Sequence, residues 1–272
     1  MKDFKFGWWT TGRDKAAVNL FNAVWDAVKS DKISGRFSYL FISRQKGEGK
    51  FSDEIINLSK ERNIPVESLS AVKFLPDLRK KDRSEWRRLY HEEVLKKIQK
   101  YDSPLAVLAG YMWVLSPQIC NEISAINLHP ALPNGPTGTW QEVIWKLLAE
   151  DSNETGAMMH LVTPILDRGP AITYFKFSIR GGKWNILWNE FYTLQKEHGL
   201  EYVKNNIGEE LKLFKKIRHE GEIRELPLIV QTLRAFSRGQ LKVGKGEIFD
   251  KDGKKLTEPL DLTRQVEMEI KS

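Results

Sequence analysis

The chain reads as an α/β protein built on a mostly parallel sheet flanked by helices, and three features of its 272 residues predict this. Short apolar runs alternate with amphipathic helical patterns as far as about residue 180. One run, Pro-Leu-Ala-Val-Leu-Ala at 104–109, is apolar throughout, the pattern of a strand covered on both faces. Turn residues close most of these segments, at Asn63, Gly110 and His129-Pro130.

Taken in order, Phe4–Thr10 is aromatic and apolar and reads as the first strand. Over 14–29, Ala17, Leu20, Phe21, Val24 and Val28 recur at helical spacing. A strand at 37–43, a helix at 51–62 and a strand at 66–69 follow. The helix is closed by Asn63, with Pro65 just beyond. The charged segment 84–100 is helical, with Trp86, Leu89, Val94, Leu95 and Ile98 as its buried stripe. Ser116 with Pro117 opens a short helix at 116–122, a polar cap followed by proline at the first helical position. A strand at 125–128 ends at His129-Pro130, because the residue before proline is pushed out of helical geometry. A helix at 139–150 and strands at 156–162 and 171–179 complete this part. Past Arg180 the pattern changes to charged helices at 184–217 and 222–238, then strand, turn and strand across 241–260 around Asp252-Gly253. Two units are expected, a catalytic domain at 1–180 and a helical extension at 181–272 that packs on it and ends in a hairpin and tail.

Composition narrows the function. Forty-three basic against 36 acidic residues give a net charge of +7, which suits an anionic partner, whether a phosphorylated metabolite or a nucleic acid. The single cysteine, Cys120, excludes an internal disulfide and a thiolate metal cluster. The amino terminus lacks the pattern of a signal peptide and no run is long enough to span a bilayer, so a reducing cytosol is the expected compartment and no membrane partner is expected. No zinc-ligand spacing is present, and Asp250-Lys251-Asp252-Gly253 lacks the later ligands of a calcium loop, so no metal is expected.

The residues that carry chemistry lie between 108 and 170. Asn127 and His129 are two apart, so on an extended segment both point to one side. A strand's carboxyl end is where open α/β sheets place ligands. Asn supplies a neutral donor to an oxyanion, His donates or relays a proton, and Asp167, folded back onto them, accepts one. On pattern alone, an Asn-x-His pair is more often a structural contact at a strand end. His160 is read as a supporting residue, and His91, His198 and His219 as solvated in charged helices. The basic runs Arg79-Lys80-Lys81 and Lys215-Lys216 are read as solvated faces.

Four stretches, LAGYMWVLSP at 108–117, INLHPALP at 126–133, ETGAMMHLV at 154–162 and DRGP at 167–170, resemble the 10-formyltetrahydrofolate-dependent formyltransferase family in content and order. The resemblance implies a Rossmann-like catalytic domain with Asn127, His129 and Asp167 as the catalytic trio. It implies a folate site along Tyr111, Met112, Trp113, Val114 and Leu115, with Asp167 and Gly169; for Val114 and Leu115 plain core is the competing role. The flanks are most similar to the glycinamide ribonucleotide branch, which implies purine biosynthesis and a phosphorylated amine acceptor. In that branch a glycine-rich turn and the first helix bind the phosphate, which places Gly12 and Asn19 on the acceptor; where the loop departs from the family, Arg13 and Lys15 would bind the phosphate by charge instead, or the loop would serve a different substrate. A Glu-His-x-x-x-Pro helix holds the ribonucleotide, which places Glu222 there by its distance from Pro227. Two departures stand out. The loop between Gly12 and Asn19 is longer and poorer in glycine than the family's, and Trp113 replaces the family's usual Arg.

Other readings compete. Another acceptor, an amino sugar nucleotide or methionyl-tRNA, would use the same chemistry, but the tRNA branch carries a carboxyl-terminal barrel that residues past 180 do not resemble. Hydrolysis of 10-formyltetrahydrofolate belongs to a branch with an amino-terminal regulatory domain, for which a first strand at Phe4 leaves no room. A basic nucleic-acid binder or a non-catalytic folate binder is the alternative of another class; nucleic acid is not favoured as a partner. Monomer and homodimer both remain open.

Overall fold

The computed structural model describes residues 4–244 and 247–271. The sequence expectation of a mostly parallel sheet with flanking helices holds. Among the described residues the main sheet has eight strands, and its first half builds outward from β1 (Phe4–Thr10). Asp14 caps α1 (Lys15–Lys29), which leads into β2 (Gly35–Ile42); α2 (Lys50–Glu61) leads into β3 (Val66–Ser68). A short α3 (Pro76–Lys81) and α4 (Arg83–Ile98) then carry the chain back across the sheet to β4 (Leu105–Leu108), on the other side of β1. This reversal of strand order makes the switch point at which open α/β sheets leave a crevice. Two bonds join the loops there, from Thr11 N–H to the Gly110 carbonyl at 3.0 Å and from Met112 N–H to Thr11 Oγ1 at 3.0 Å.

α5 (Pro117–Glu122) and β5 (Ala125–His129) extend the parallel half, and Ser116 caps α5 as its sequence predicts. α6 (Trp140–Ala149) opens on a capping box in which Thr139 and Glu142 satisfy each other's backbone N–H groups. β6 (Glu154–Leu161) then pairs antiparallel with β5, and β7 (Ala171–Ser178) antiparallel with β6.

β1 shows how the sheet is covered. Phe6 and Trp8 face α1, α2 and the later helices, whereas Trp9 faces the layer of α4 and α5 with Trp86 and Tyr90. Both layers are buried, which explains why β1 and β4 read as continuous apolar runs.

The residues after 180 differ from the sequence reading. α7 (Lys183–His198) stops at Gly199, whose φ of 83° breaks the helix. The chain passes through α8 (Leu200–Tyr202), a π turn (Val203–Ile207) and a 3-10 turn (Gly208–Glu210) before α9 (Lys212–Ser237). The expected break near residues 218–221 is absent, and α9 runs unbroken through Gly221 and Pro227. Ion pairs four residues apart, Lys216–Glu220, Arg218–Glu222 and Glu220–Arg224, bracket the glycine. Leu213, Phe214 and Ile217 pack with α6 and α7, while Leu228, Ile229 and Leu233 join the core around Phe6 and Trp8. Burial at both ends outweighs the poor helix propensity at the middle.

β8 (Leu241–Gly244) and β9 (Glu247–Asp250) form the hairpin, but Asp252-Gly253 is not its turn. The connection falls at 245–246, outside the described residues, and Asp250 to Lys254 forms a separate tight turn. β10 (Leu260–Asp261) returns to pair parallel with β7, and α10 (Thr263–Ile270) packs Val266 into the same core as α1 and α9. The segments on either side of Arg180 thus share one sheet and one core. Among the described residues no helix is long and apolar enough to cross a membrane.

A Cβ at Gly221 would meet nothing within 4 Å. Gly221→Ala should therefore stabilise the protein by about 0.5–1 kcal/mol in chemical denaturation, the difference in helix propensity. A loss of stability would contradict a continuous α9.

Candidate active site

A cleft of about 330 Å³ opens where β1, β4 and β5 end. Asn127, His129, His160 and Asp167 line its floor, 110–115 form one wall, and Arg13, Asp14, Trp140, Arg218 and Glu225 line the opposite arm.

The floor is set by strand pairing. The β5–β6 register places His160 opposite Asn127. His160 Nδ1 lies 3.0 Å from the Leu161 carbonyl, which only accepts, so Nδ1 carries the proton. Nε2 is then the acceptor for Asn127 Nδ2 at 3.1 Å, and this fixes which way the Asn127 amide faces. His160 is 2% exposed, and burial pushes its pKa below the ordinary histidine value, so it stays neutral. It borders the cleft itself and also bonds Asn127.

His129 is 3% exposed, with Nε2 2.9 Å from the Pro136 carbonyl, so that nitrogen carries a proton as well. Its Nδ1 faces Asp167 Oδ2 at 3.7 Å, while Asp167 Oδ1 is 3.8 Å from His160 Nε2. One carboxylate thus stands over two imidazoles. Asp167 adopts a φ of 53°, a left-handed conformation that aspartate tolerates better than most residues, and accepts from Gly138 N–H at 3.2 Å. Two residues on, the chain passes so close to β6 that a Cβ on Gly169 would lie 1.7 Å from the Leu161 carbonyl oxygen. Gly169 is therefore required for the approach that returns Asp167 to the cleft, and it does not itself line it.

On the wall, Met112, Trp113, Val114 and Leu115 all border the cleft, Leu115 buried and Met112 exposed. Trp113 Nε1 is buried without a partner, and Arg79 lies 5.8 Å from the ring centroid, so Arg79 is more than a solvated charge. Tyr111 borders the cleft but turns its hydroxyl away, 3.4 Å from His91 Nε2.

His91 corrects the sequence reading. It is 1% exposed, on the inner face of α4, and its Nδ1 accepts from Ser116 N–H at 3.1 Å. Its stripe on α4 is Trp86, Tyr90, His91, Val94 and Ile98; Leu89 and Leu95 are only half-buried. Charged neighbours hid this position, although helical spacing from Trp86 and Val94 places it beside the stripe. His198 and His219 are exposed, as expected.

On the opposite arm, Arg13 lines the cleft, but Lys15 pairs with Glu54 at 2.9 Å and Asn19 sits on the exposed face of α1; neither lines it. Gly12, with φ 58°, makes the turn from β1, and its N–H already donates to Thr10 Oγ1 at 3.2 Å. Glu222 is also outside the lining, paired with Arg218 at 2.6 Å. One helical turn on, Glu225 takes the buried position, which counting back from Pro227 misses.

Residues 17–182, more than half of the chain, match the model of the formyl transferase family. The chain belongs to that family. It is an enzyme that transfers formyl groups. This formyl transferase is 27% identical over 162 residues to the phosphoribosylglycinamide formyltransferase of Escherichia coli, an alignment covering 59% of the chain and 68% of the relative. It is 38% identical over 93 residues to the enzyme of the same name from Schizosaccharomyces pombe, covering 32% of the chain and 45% of that relative. Its fold matches that of the phosphoribosylglycinamide formyltransferase of Coxiella burnetii at a TM-score of 0.67 and 20% identity, over 96% of this chain and 99% of the other.

Burial lowers the pKa of His91 from the ordinary value of 6.5 to about 3. Between these values the unfolded chain binds a proton that the folded one does not, so stability falls as pH drops below about 6.5. His91 contributes about 1.4 kcal/mol per pH unit in that window. Denaturation of the wild type and His91→Asn at pH 5 and 7 should show the shallower pH dependence in the variant; equal slopes would contradict a buried neutral His91.

Proposed function

We propose that this formyl transferase moves the formyl group of 10-formyltetrahydrofolate to a primary amine, with glycinamide ribonucleotide as the acceptor and purine biosynthesis as its setting. The observation that carries this is the convergence of Asn127, His129 and Asp167 in one cleft beside a largely apolar wall. The choice of acceptor is supported by the two relatives, both phosphoribosylglycinamide formyltransferases. A reducing cytosol suits the single free thiol, Cys120. We read 1–180 as the unit that carries the chemistry and 181–272 as the extension that completes the acceptor side.

The residues present fit the co-substrate. Met112 to Leu115 offer an apolar surface and backbone groups to a flat pterin, and the buried Trp113 Nε1 is a donor still without a partner. The transfer then follows from the floor. An unprotonated amine attacks the formyl carbon, a carbon–nitrogen bond forms, and charge builds on the formyl oxygen. The Asn127 amide, oriented by His160, donates to that oxygen. His129 exchanges its Nε2–H bond to Pro136 for one to the same oxygen; each such donor is worth about 3–4 kcal/mol in the transition state. Asp167, through a water, takes the proton released by the amine and passes it to N10 as the bond to the formyl carbon breaks. No covalent enzyme intermediate is needed.

Asp167→Asn keeps the shape and its bond from Gly138 but removes the proton acceptor. Turnover should fall at least about 1,000-fold while folate affinity, measured by titration, stays within about threefold. Asn127→Ala should cost about 100-fold or more in kcat. Wild-type rates in Asp167→Asn would remove that residue from the chemistry.

A further inference from the structure

The wall of the cleft is irregular backbone. Between β4 and α5 residues 109–116 belong to no helix or strand, yet 111–115 all border the cleft. Among the described residues Trp113, Val114 and Leu115 take part in no backbone–backbone hydrogen bond, so no ladder sets their course. The stretch is held at its ends instead. At the near end Thr11 Oγ1 receives the Met112 N–H at 3.0 Å, and Thr11 N–H donates to the Gly110 carbonyl at 3.0 Å. At the far end the Ser116 N–H donates to His91 Nδ1 at 3.1 Å.

His91 meets the wall twice. Because Nδ1 receives an N–H it carries no proton, so in the neutral ring Nε2 does, and it faces the Tyr111 hydroxyl at 3.4 Å. Burial keeps the ring neutral. One imidazole thus touches residue 111 at the start of the wall and residue 116 just past its end. The helix that carries it is itself anchored. Tyr90, the preceding residue of α4, donates to the Leu69 carbonyl at 2.7 Å, just beyond β3. His91, Tyr90 and Ser116 are all buried, so water cannot replace these bonds.

We propose that His91 is a positioning residue for the co-substrate: by receiving the Ser116 N–H behind the wall, it fixes the backbone of 111–115 in the shape that takes the pterin. This rests on the reading of that wall as the folate site and deepens it. His91 does not line the cleft and touches no reacting atom. Its loss therefore acts on folate affinity and leaves the transfer step and the acceptor arm as they are.

Three variants separate the Ser116 bond from mere packing. His91→Asn puts an amide oxygen where Nδ1 stands and keeps the acceptor. His91→Leu fills the space with no acceptor, and His91→Gln reaches the Nε2 position and leaves the Ser116 N–H unpaired. Tetrahydrofolate carries the pterin and no transferable group, so titration calorimetry on the full chain reads the wall alone. At about pH 7.5 His91→Leu and His91→Gln should each weaken it by about tenfold or more, with His91→Asn within about threefold of the wild type. In the transfer assay KM for 10-formyltetrahydrofolate should rise in step, while kcat and KM for glycinamide ribonucleotide stay within about threefold. Should His91→Leu fail to fold, His91→Gln carries the same comparison. Unchanged affinity in His91→Gln, or an equal loss in His91→Asn, would overturn the role of His91 and leave the folate site standing. A wild type that binds no tetrahydrofolate would remove the folate site and this role with it.

Discussion

The antiparallel pairing of β5 with β6 is the constraint on which the site depends. It sets Asn127 against His160 and so decides which face of the Asn127 amide meets the cleft. It also fixes where β6 ends, and from there the 162–170 loop returns, with Leu161 N–H bonded to the Pro170 carbonyl at 2.9 Å. That return carries Asp167 over the two imidazoles. A slip of one residue would turn Asn127 and His129 to the other face of the sheet and leave Asp167 over nothing. Gly169 protects the register, because only a glycine passes so close to the Leu161 carbonyl.

Around that floor the two sides of the cleft are built in different ways. The wall proposed for folate rests on local structure, with His91 receiving the Ser116 N–H behind it and Thr11 receiving that of Met112 at its edge. The opposite arm, proposed for the acceptor, is assembled from segments far apart in sequence. α1 supplies Asp14, α6 supplies Trp140, and α9 brings Arg218 and Glu225 from more than 200 residues beyond the first strand. α9 reaches both because its first half packs on α6 and α7 and its second half on the sheet. A continuous helix is what carries Glu225 to the cleft.

This division explains what could be read from the sequence. The strands of the first half were legible because short apolar runs encode them locally, and Asn127, His129 and Asp167 were marked by the four stretches that resemble a known family, since spacing alone favoured a structural contact. His91 was not, since a histidine among Arg87, Arg88, Glu92 and Glu93 looks solvated until the layer above α4 is in place. The helix boundaries past 180 were misplaced for a related reason. Gly221 and Pro227 suggest a break, but tertiary burial on both sides holds α9 straight through, whereas Gly199 and Gly208 adopt the positive φ that ends a helix. That Glu225 and not Glu222 lines the cleft follows from the same limit: distance from a proline gives a count along the helix, and only packing gives the face.

The most direct test of the central claim follows the formyl carbon itself. With 10-formyltetrahydrofolate labelled at that carbon and glycinamide ribonucleotide as the amine, carbon NMR of the products should show the label in an N-formyl group on the acceptor nitrogen. It should stay on the folate when the enzyme is His129→Ala. Label recovered as formate would make the enzyme a hydrolase, and label that never leaves the folate would contradict formyl transfer altogether.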